Sequence, residues 1–126
     1  MSKYDLTTMR ASLDKIGPAW WEYATHLFSD AIGAMPELKL NGRLTSTAGR
    51  AFLQGGKIEL SCYFLDQYPD DMLSNTLPHE LAHIIAYRMY GEENHGKAWK
   101  MVARSLDGQC NTYHNSTTLR QAKKRQ

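Results

Sequence analysis

The chain has 126 residues and a formal net charge of +2 at pH 7, with 42% hydrophobic and 10% aromatic residues. This length suits one domain with a single core, and the composition excludes a disordered chain. No apolar run approaches the roughly 20 residues of a membrane span, and the N-terminus lacks the apolar core of a signal peptide. We therefore expect a cytoplasmic protein with no membrane partner.

The cysteines and the C-terminal charges limit the classes of site further. Cys62 and Cys110 form no CxxC motif, so they cannot build a four-cysteine zinc ribbon, and we expect both to be reduced thiols. Residues 117–126 are predicted to be a basic tail, which is either a solvated chain end or a nonspecific contact to nucleic acid. Its cations are Arg120, Lys123, Lys124 and Arg125.

The N-terminal third is predicted to be helical. Apolar residues recur at helical spacing from Leu6 to Ile32. Gly17 and Pro18 interrupt them, which predicts one broken helix or two helices, the second starting near Pro18. The Trp20-Trp21 pair could stack on bases, but core packing of at least one of them is favoured.

Three short segments are predicted to be strands. They cover 38–40, 45–54 and 58–62, the third running on through Leu65. Asn41-Gly42 is a hairpin signal. We therefore predict a small antiparallel sheet, with 58–62 as an edge strand that could pair with an extended peptide.

The segment 78–99, PHELAHIIAYRMYGEENHGKAW, contains the strongest chemical signal. A helix is predicted from Asp70, with a kink or a fresh first turn at Pro78 and an end at Gly91. His79 and His83 share one face of this helix, so both imidazoles can reach one metal ion at about 2.0–2.1 Å. Glu80 is rotated by about 100°, which suits a general acid/base better than a ligand.

The third ligand has several candidates: Glu92, Glu93, His95, Asp107 and His114. A metzincin-type HExxHxxGxxH motif is excluded, because Ala86 and Met89 stand where it requires glycine and histidine. Asp107 is the first acid after the loop carboxylates, and it lies in an Asp-Gly turn signal.

His95 is the favoured third ligand. The chain can reverse at Gly91 and bring His95 to the start of a following helix, which Ala98, Trp99, Val102 and Leu106 predict. Glu92 and Glu93 are expected to be solvated loop residues. Three histidines leave the fourth coordination position open, which is typical of catalytic rather than structural zinc sites.

HELAH followed by NHGKAW, with AGRAFLQGGKIELS upstream, resembles the metal-binding core of the SprT-like family. That family includes the bacterial SprT proteins and the catalytic domain of the Spartan protease. The resemblance covers roughly residues 38–115 and could extend to the N-terminal helix. It implies an α+β, compact zincin-like fold of the minimal gluzincin kind, with one Zn²⁺ per chain bound by His79, His83 and His95 and with Glu80 as general acid/base.

The resemblance also implies a zinc-dependent endopeptidase over residues 1–116 that acts on protein substrates, including proteins bound or crosslinked to single-stranded or junction DNA. The family's four-cysteine ribbon has no counterpart in this sequence, so DNA contact through a ribbon is not expected. The alternative is a metal-stabilised DNA- or protein-binding module without turnover. Candidates for an oxyanion donor are Tyr113 and His114, with Tyr87 and Arg88 as further guesses.

Overall fold

The computed structural model describes residues 3–107, which form an α+β fold with a small sheet, and this part of the expected fold class is confirmed. Its elements are α1 (Leu6–Phe28), β1 (Glu37–Asn41), β2 (Gly49–Phe52), β3 (Lys57–Ser61), α2 (Cys62–Gln67), α3 (Pro69–Asp71), α4 (Leu77–Tyr90) and α5 (Lys97–Asp107). A 3₁₀ turn follows α1 and a π-helical turn, Met72–Thr76, joins α3 to α4. No helix in this range has the length and apolar character needed to cross a bilayer.

Helix α1 continues through Pro18, so the prediction of a broken helix or a helix pair was wrong. Pro18 removes one backbone hydrogen bond, but a single buried stripe runs past it on both sides and holds the helix against the core. Trp21 belongs to that stripe, while Trp20 is half-buried and donates its indole N–H to the carbonyl of Leu73 at 2.9 Å. Core packing of at least one tryptophan is therefore confirmed. The stripe comprises Met9, Leu13, Gly17, Trp21 and Ala24.

The sheet is mixed, which corrects the prediction of an antiparallel sheet. Its strand order is β1-β3-β2, with β1 parallel and β2 antiparallel to β3. Asn41-Gly42 therefore starts a crossing connection and not a hairpin. Leu38 and Leu40 lie opposite Ile58 and Leu60 in the parallel register. Their alternation buries the same face whichever way the strands run, so it could not reveal the direction.

Strand β3 is the central strand, so the expectation that 58–62 forms an edge was also wrong. The strand ends at Ser61, and the following apolar residues begin helix α2. Ser61 Oγ accepts the backbone N–H of Phe64 at 3.1 Å and so caps that helix. Among the described strands, β1 and β2 are therefore the two outer strands of the sheet.

Helix α4 forms the centre of the core. Most of its residues are buried, including Leu81, Ile84 and Ile85 at 0% exposure. Pro78 lies in its first turn, directly after the π-helical turn. The backbone at Thr76 and Leu77 is αR, so the kink or fresh first turn expected before His79 is a change of helix type within continuous helical backbone. Gly91 ends the helix in the left-handed region, with φ 72°, and its N–H binds the carbonyl of Tyr87 at 2.8 Å.

Candidate metal centre

Three histidine side chains converge at the junction of α4 and α5. His79 and His83 project from one face of α4, and His95 follows the reversal at Gly91. His95 Nε2 lies 3.0 Å from His83 Nε2 and 3.1 Å from His79 Nε2. One ligand atom from each of the three rings lies within 4.8 Å of the others.

This donor set fits a divalent metal ion. Two nitrogens that bind one zinc ion at 2.0–2.1 Å in a tetrahedral arrangement lie about 3.3 Å apart, close to the two observed distances. Three imidazoles also leave one tetrahedral position free, as in catalytic sites. The histidines are therefore positioned to hold a metal ion with an open coordination position.

Trp99 forms the floor beneath the three rings. It is 1% exposed, and its ring centroid lies 4.8 Å, 5.3 Å and 4.5 Å from those of His79, His83 and His95. Its indole N–H also donates to the backbone carbonyl of His79 at 3.2 Å. One buried side chain of α5 thus orients the first turn of α4 and all three imidazoles together.

Burial favours the neutral form of two of the imidazoles, those of His83 and His95. It lowers the pKa of His83 to about 4, and the neighbouring His95 adds to this effect. Burial also lowers the pKa of His95; the Glu92 charge opposes the shift and the Lys100 charge adds to it. Because only a neutral imidazole binds a metal ion, the site is ready to coordinate one near pH 7.

Glu80 lies in the first turn of α4, is 8% exposed and lines the same cleft as the three histidines. The cleft has a volume of about 370 Å³. A carboxylate at its wall can exchange a proton with a water molecule or a substrate amide held in front of the histidines. The predicted residues His79, Glu80, His83 and His95 are thus brought together, although their roles remain predictions.

Strand β2 forms the opposite wall of the cleft, a feature that the sequence analysis missed. Gly49, Arg50 and Ala51 line the space together with Leu53. Gly49 is packed closely, since a Cβ there would lie 3.1 Å from Leu60 Cδ2 and 3.2 Å from the Glu59 carbonyl oxygen. The segment AGRAFLQ predicts a strand here, but the place of that strand beside the site depends on strand order, which the motif does not give.

Arg50 is held at the cleft by an ion pair. Its Nε lies 2.9 Å from Glu59 Oε1 on β3, and Asn41 Nδ2 donates to the same oxygen at 3.2 Å. Burial raises the pKa of Glu59, but the hydrogen bonds from Asn41 and Arg50, with the charges of Arg50 and Lys57, hold it below its usual value. Glu59 is therefore ionised and fixes Arg50 at the edge of the sheet.

The two loop carboxylates do not join the histidine cluster. Glu92 accepts the backbone N–H of Asn94 at 3.2 Å and so stabilises the loop before α5. Glu93 is exposed and lines the cleft. Among the described residues, the group positioned to hold a metal ion consists of the histidines alone, which agrees with the preference for His95.

Other candidates lie elsewhere. Arg88, one of the candidate oxyanion donors, has a structural role instead. Its Nη1 donates to the carbonyls of Ile32 and Ala34 at 2.7 and 2.6 Å. Tyr87, the other such candidate, is half-buried on α4 and is not among the residues that line the histidine cleft. The remaining candidates lie outside the described residues, as does Cys110. They are the Asp107 side chain, Tyr113, His114, Arg120, Lys123, Lys124 and Arg125.

Comparison with known proteins agrees with this site. The model of the SprT-like family matches residues 19–120, which include both walls of the cleft. Protein SprT of Vibrio parahaemolyticus is 38% identical over 82 residues, covering 64% of this chain and 49% of that protein. Protein SprT of Yersinia pseudotuberculosis is 39% identical over 75 residues, covering 58% and 44%.

The match to these relatives is partial. Protein SprT of Glaesserella parasuis is 38% identical over 69 residues, which are 53% of this chain and 44% of that protein. The chain thus spans about half the length of the curated relatives that it matches. No solved structure matches it significantly.

Proposed function

The chain belongs to the SprT-like family, and from this premise we propose that it is a zinc-dependent endopeptidase with a zincin-like site. The observation that carries the proposal is the convergence of three histidine nitrogens with Glu80 in one cleft. His79, His83 and His95 would hold the ion. A bound zinc ion would polarise the scissile carbonyl and make an attacking water more acidic.

Glu80 is the proposed general acid/base. Its carboxylate would take the proton of the attacking water and return it to the leaving amine. The side chain is nearly buried at the first turn of a rigid helix, so little reorganisation would be needed between the two proton transfers. Trp99 would hold the three imidazoles in place during turnover through its contacts with all three rings.

Strand β2 is the proposed substrate-binding edge. Among residues 3–107 it pairs with β3 on one side only, so we propose that the backbone groups of its other side receive an extended peptide. Gly49 and Ala51 are small residues in the wall that faces the histidines. Backbone pairing along such a strand selects for an extended main chain more than for particular side chains, which suits an enzyme with varied protein substrates.

DNA-bound or DNA-crosslinked proteins are the proposed substrates, on the strength of the family resemblance. The competing proposal is a module that holds the metal but only binds DNA or protein. The presence of Glu80 beside the histidines favours the peptidase, because a purely structural metal site needs no carboxylate at that position.

The test of this choice is Glu80→Gln, an isosteric change that removes the charge. We expect unchanged zinc content by metal analysis, but at least a hundredfold slower cleavage of an unstructured protein in the presence of single-stranded DNA. Glu93→Gln is the matched control, since that exposed carboxylate lines the same cleft, and it should retain most of the activity. A wild-type protein that holds zinc yet cleaves nothing, with or without DNA, would favour the binding module.

The β2 edge can be tested on the substrate alone. Every second residue of a paired strand directs its N–H toward its neighbour. A series of cleavable peptides, each N-methylated at one backbone nitrogen, should therefore show an alternating pattern. Cleavage should be blocked when the methyl group replaces an N–H that points toward β2, and it should continue when the neighbouring nitrogen is methylated. Equal effects at neighbouring positions would contradict strand pairing at β2.

A further inference from the structure

Helix α5 presents a positively charged face next to the metal centre. Lys97, Lys100 and Arg104 are exposed and recur at spacings of three and four residues, so they share one side of the helix. We call these three residues the basic stripe. No described carboxylate lies within 4 Å of any of their head groups.

The basic stripe cannot turn away from solvent, because the opposite face of α5 is fixed in the core. Trp99, Val102, Ala103 and Leu106 are each no more than 2% exposed. Like charges three or four residues apart on a helix repel one another by a few tenths of a kcal/mol per pair. An anionic partner would relieve that repulsion, whereas the free protein leaves it uncompensated within the described residues.

We propose that the basic stripe binds the phosphate backbone of a nucleic acid strand and directs it past the mouth of the histidine cleft. One part of this inference rests on the proposed function, namely that the bound nucleic acid would present DNA-bound proteins to the peptidase site. Lys97 lies two residues after His95, so the stripe begins beside the cleft.

The dimensions of the stripe suit a phosphate chain. From the first cation to the last, the helix rises by about 10 Å, a length over which one strand of duplex DNA carries about three phosphates. The stripe also lines a shallow groove of about 510 Å³, together with Met101 and Ser105. Three cations along a groove can thus each meet a separate phosphate.

A membrane surface suits this face less well. Helices that lie on membranes place large apolar residues beside their cations. In α5 the large apolar residues are buried, and Met101, at 43% exposure, is the apolar side chain that lines the groove. A nucleic acid is therefore favoured as the partner over an anionic bilayer.

The test compares two triple variants of the full zinc-loaded chain. The stripe variant is Lys97→Gln, Lys100→Gln and Arg104→Gln. The control is Lys15→Gln, Lys39→Gln and Arg43→Gln, which removes two lysines and one arginine from exposed positions elsewhere. Both lose the same net charge, so a difference between them reports the position of the charges and not their number.

Binding is measured by fluorescence anisotropy with a labelled 20-nucleotide single strand and a 20-base-pair duplex, from 50 to 300 mM NaCl. Loss of three phosphate contacts should reduce the slope of log K against log salt by about 2–3 and weaken binding roughly tenfold to a hundredfold near 100 mM. The control should bind within about twofold of wild type. Equal weakening of both variants, or of neither, would overturn the proposal.

Two further measurements separate the alternatives. Stripe-dependent binding to phosphatidylglycerol vesicles without stripe-dependent binding to DNA would replace the nucleic acid with a membrane and overturn the proposal. If wild type shows no cleavage but the stripe still determines DNA affinity, the proposed peptidase is wrong and the nucleic-acid site stands.

Discussion

The neutral state of His83 predicts a specific loss of stability in acid. The pKa of His83 falls from its ordinary value of 6.5 to about 4 in the folded chain. Between these pH values the unfolded chain binds a proton that the folded chain does not. Stability from this residue is therefore complete above pH 6.5 and is lost as the pH falls toward 4.

The size of the effect follows from the shift. Each pKa unit corresponds to 1.36 kcal/mol, so the pKa shift of His83 amounts to about 3 kcal/mol in the free energy of unfolding. Metal-free protein should show this loss, because a bound ion would add its own competition with protons. The assay is urea unfolding in the presence of a chelator, followed by tryptophan fluorescence at intervals from pH 7.5 to 4.

The control is His83→Gln, which is neutral throughout this range. Titrating groups away from the histidine cluster affect both proteins alike, and the packing change on substitution is independent of pH. The difference between the two stability curves therefore reports the titration of His83 together with its coupling to His95. That difference should shrink by about 3 kcal/mol from pH 7 to pH 4; a constant or growing difference would refute a buried neutral imidazole.

Three other predictions test separate parts of the site. His95→Ala should lower zinc affinity by orders of magnitude, whereas Glu93→Gln should leave it unchanged, as measured by competition with a chromogenic chelator. Unaltered affinity in His95→Ala would exclude His95 as a zinc ligand. Trp99→Phe removes the indole donor to the His79 carbonyl. It should lower the free energy of unfolding in urea by about 1–3 kcal/mol and weaken zinc binding. A change in the free energy of unfolding below about 0.5 kcal/mol would contradict the role of Trp99 beneath the three imidazoles. Deletion of 117–126 should weaken DNA binding and flatten its salt dependence, and unchanged affinity would leave the tail without a binding role.

The histidine cluster was predictable because its determinants are local. The four-residue spacing of His79 and His83 fixes their common face in any helix. Gly91 then marks the reversal that brings His95 back, and Trp99 marks the buried side of the next helix. Each of these inferences needs only neighbouring residues.

The sheet was less predictable because its determinants are not local. Leu38 and Leu40 alternate correctly for a parallel or an antiparallel neighbour, so they could not reveal that β3 enters between the other strands. The β2 wall of the cleft depends on that order and was missed for the same reason. Helix α2 was missed for a different reason. Its apolar residues also suit a strand, so the sequence was interpreted as a continuation of β3. The capping residue Ser61 was the signal that could have indicated a helix.

The three converging histidines have a consequence for the order of folding. All of them lie within residues 79–95, and His83 on α4 is only 12 residues from His95, which lies just before α5. Closing so short a loop requires little chain entropy, and contacts between near neighbours in sequence form early. A helix–turn–helix unit could thus capture its ion before the three strands assemble, so that metal uptake precedes the formation of the strand edge at which a peptide would bind.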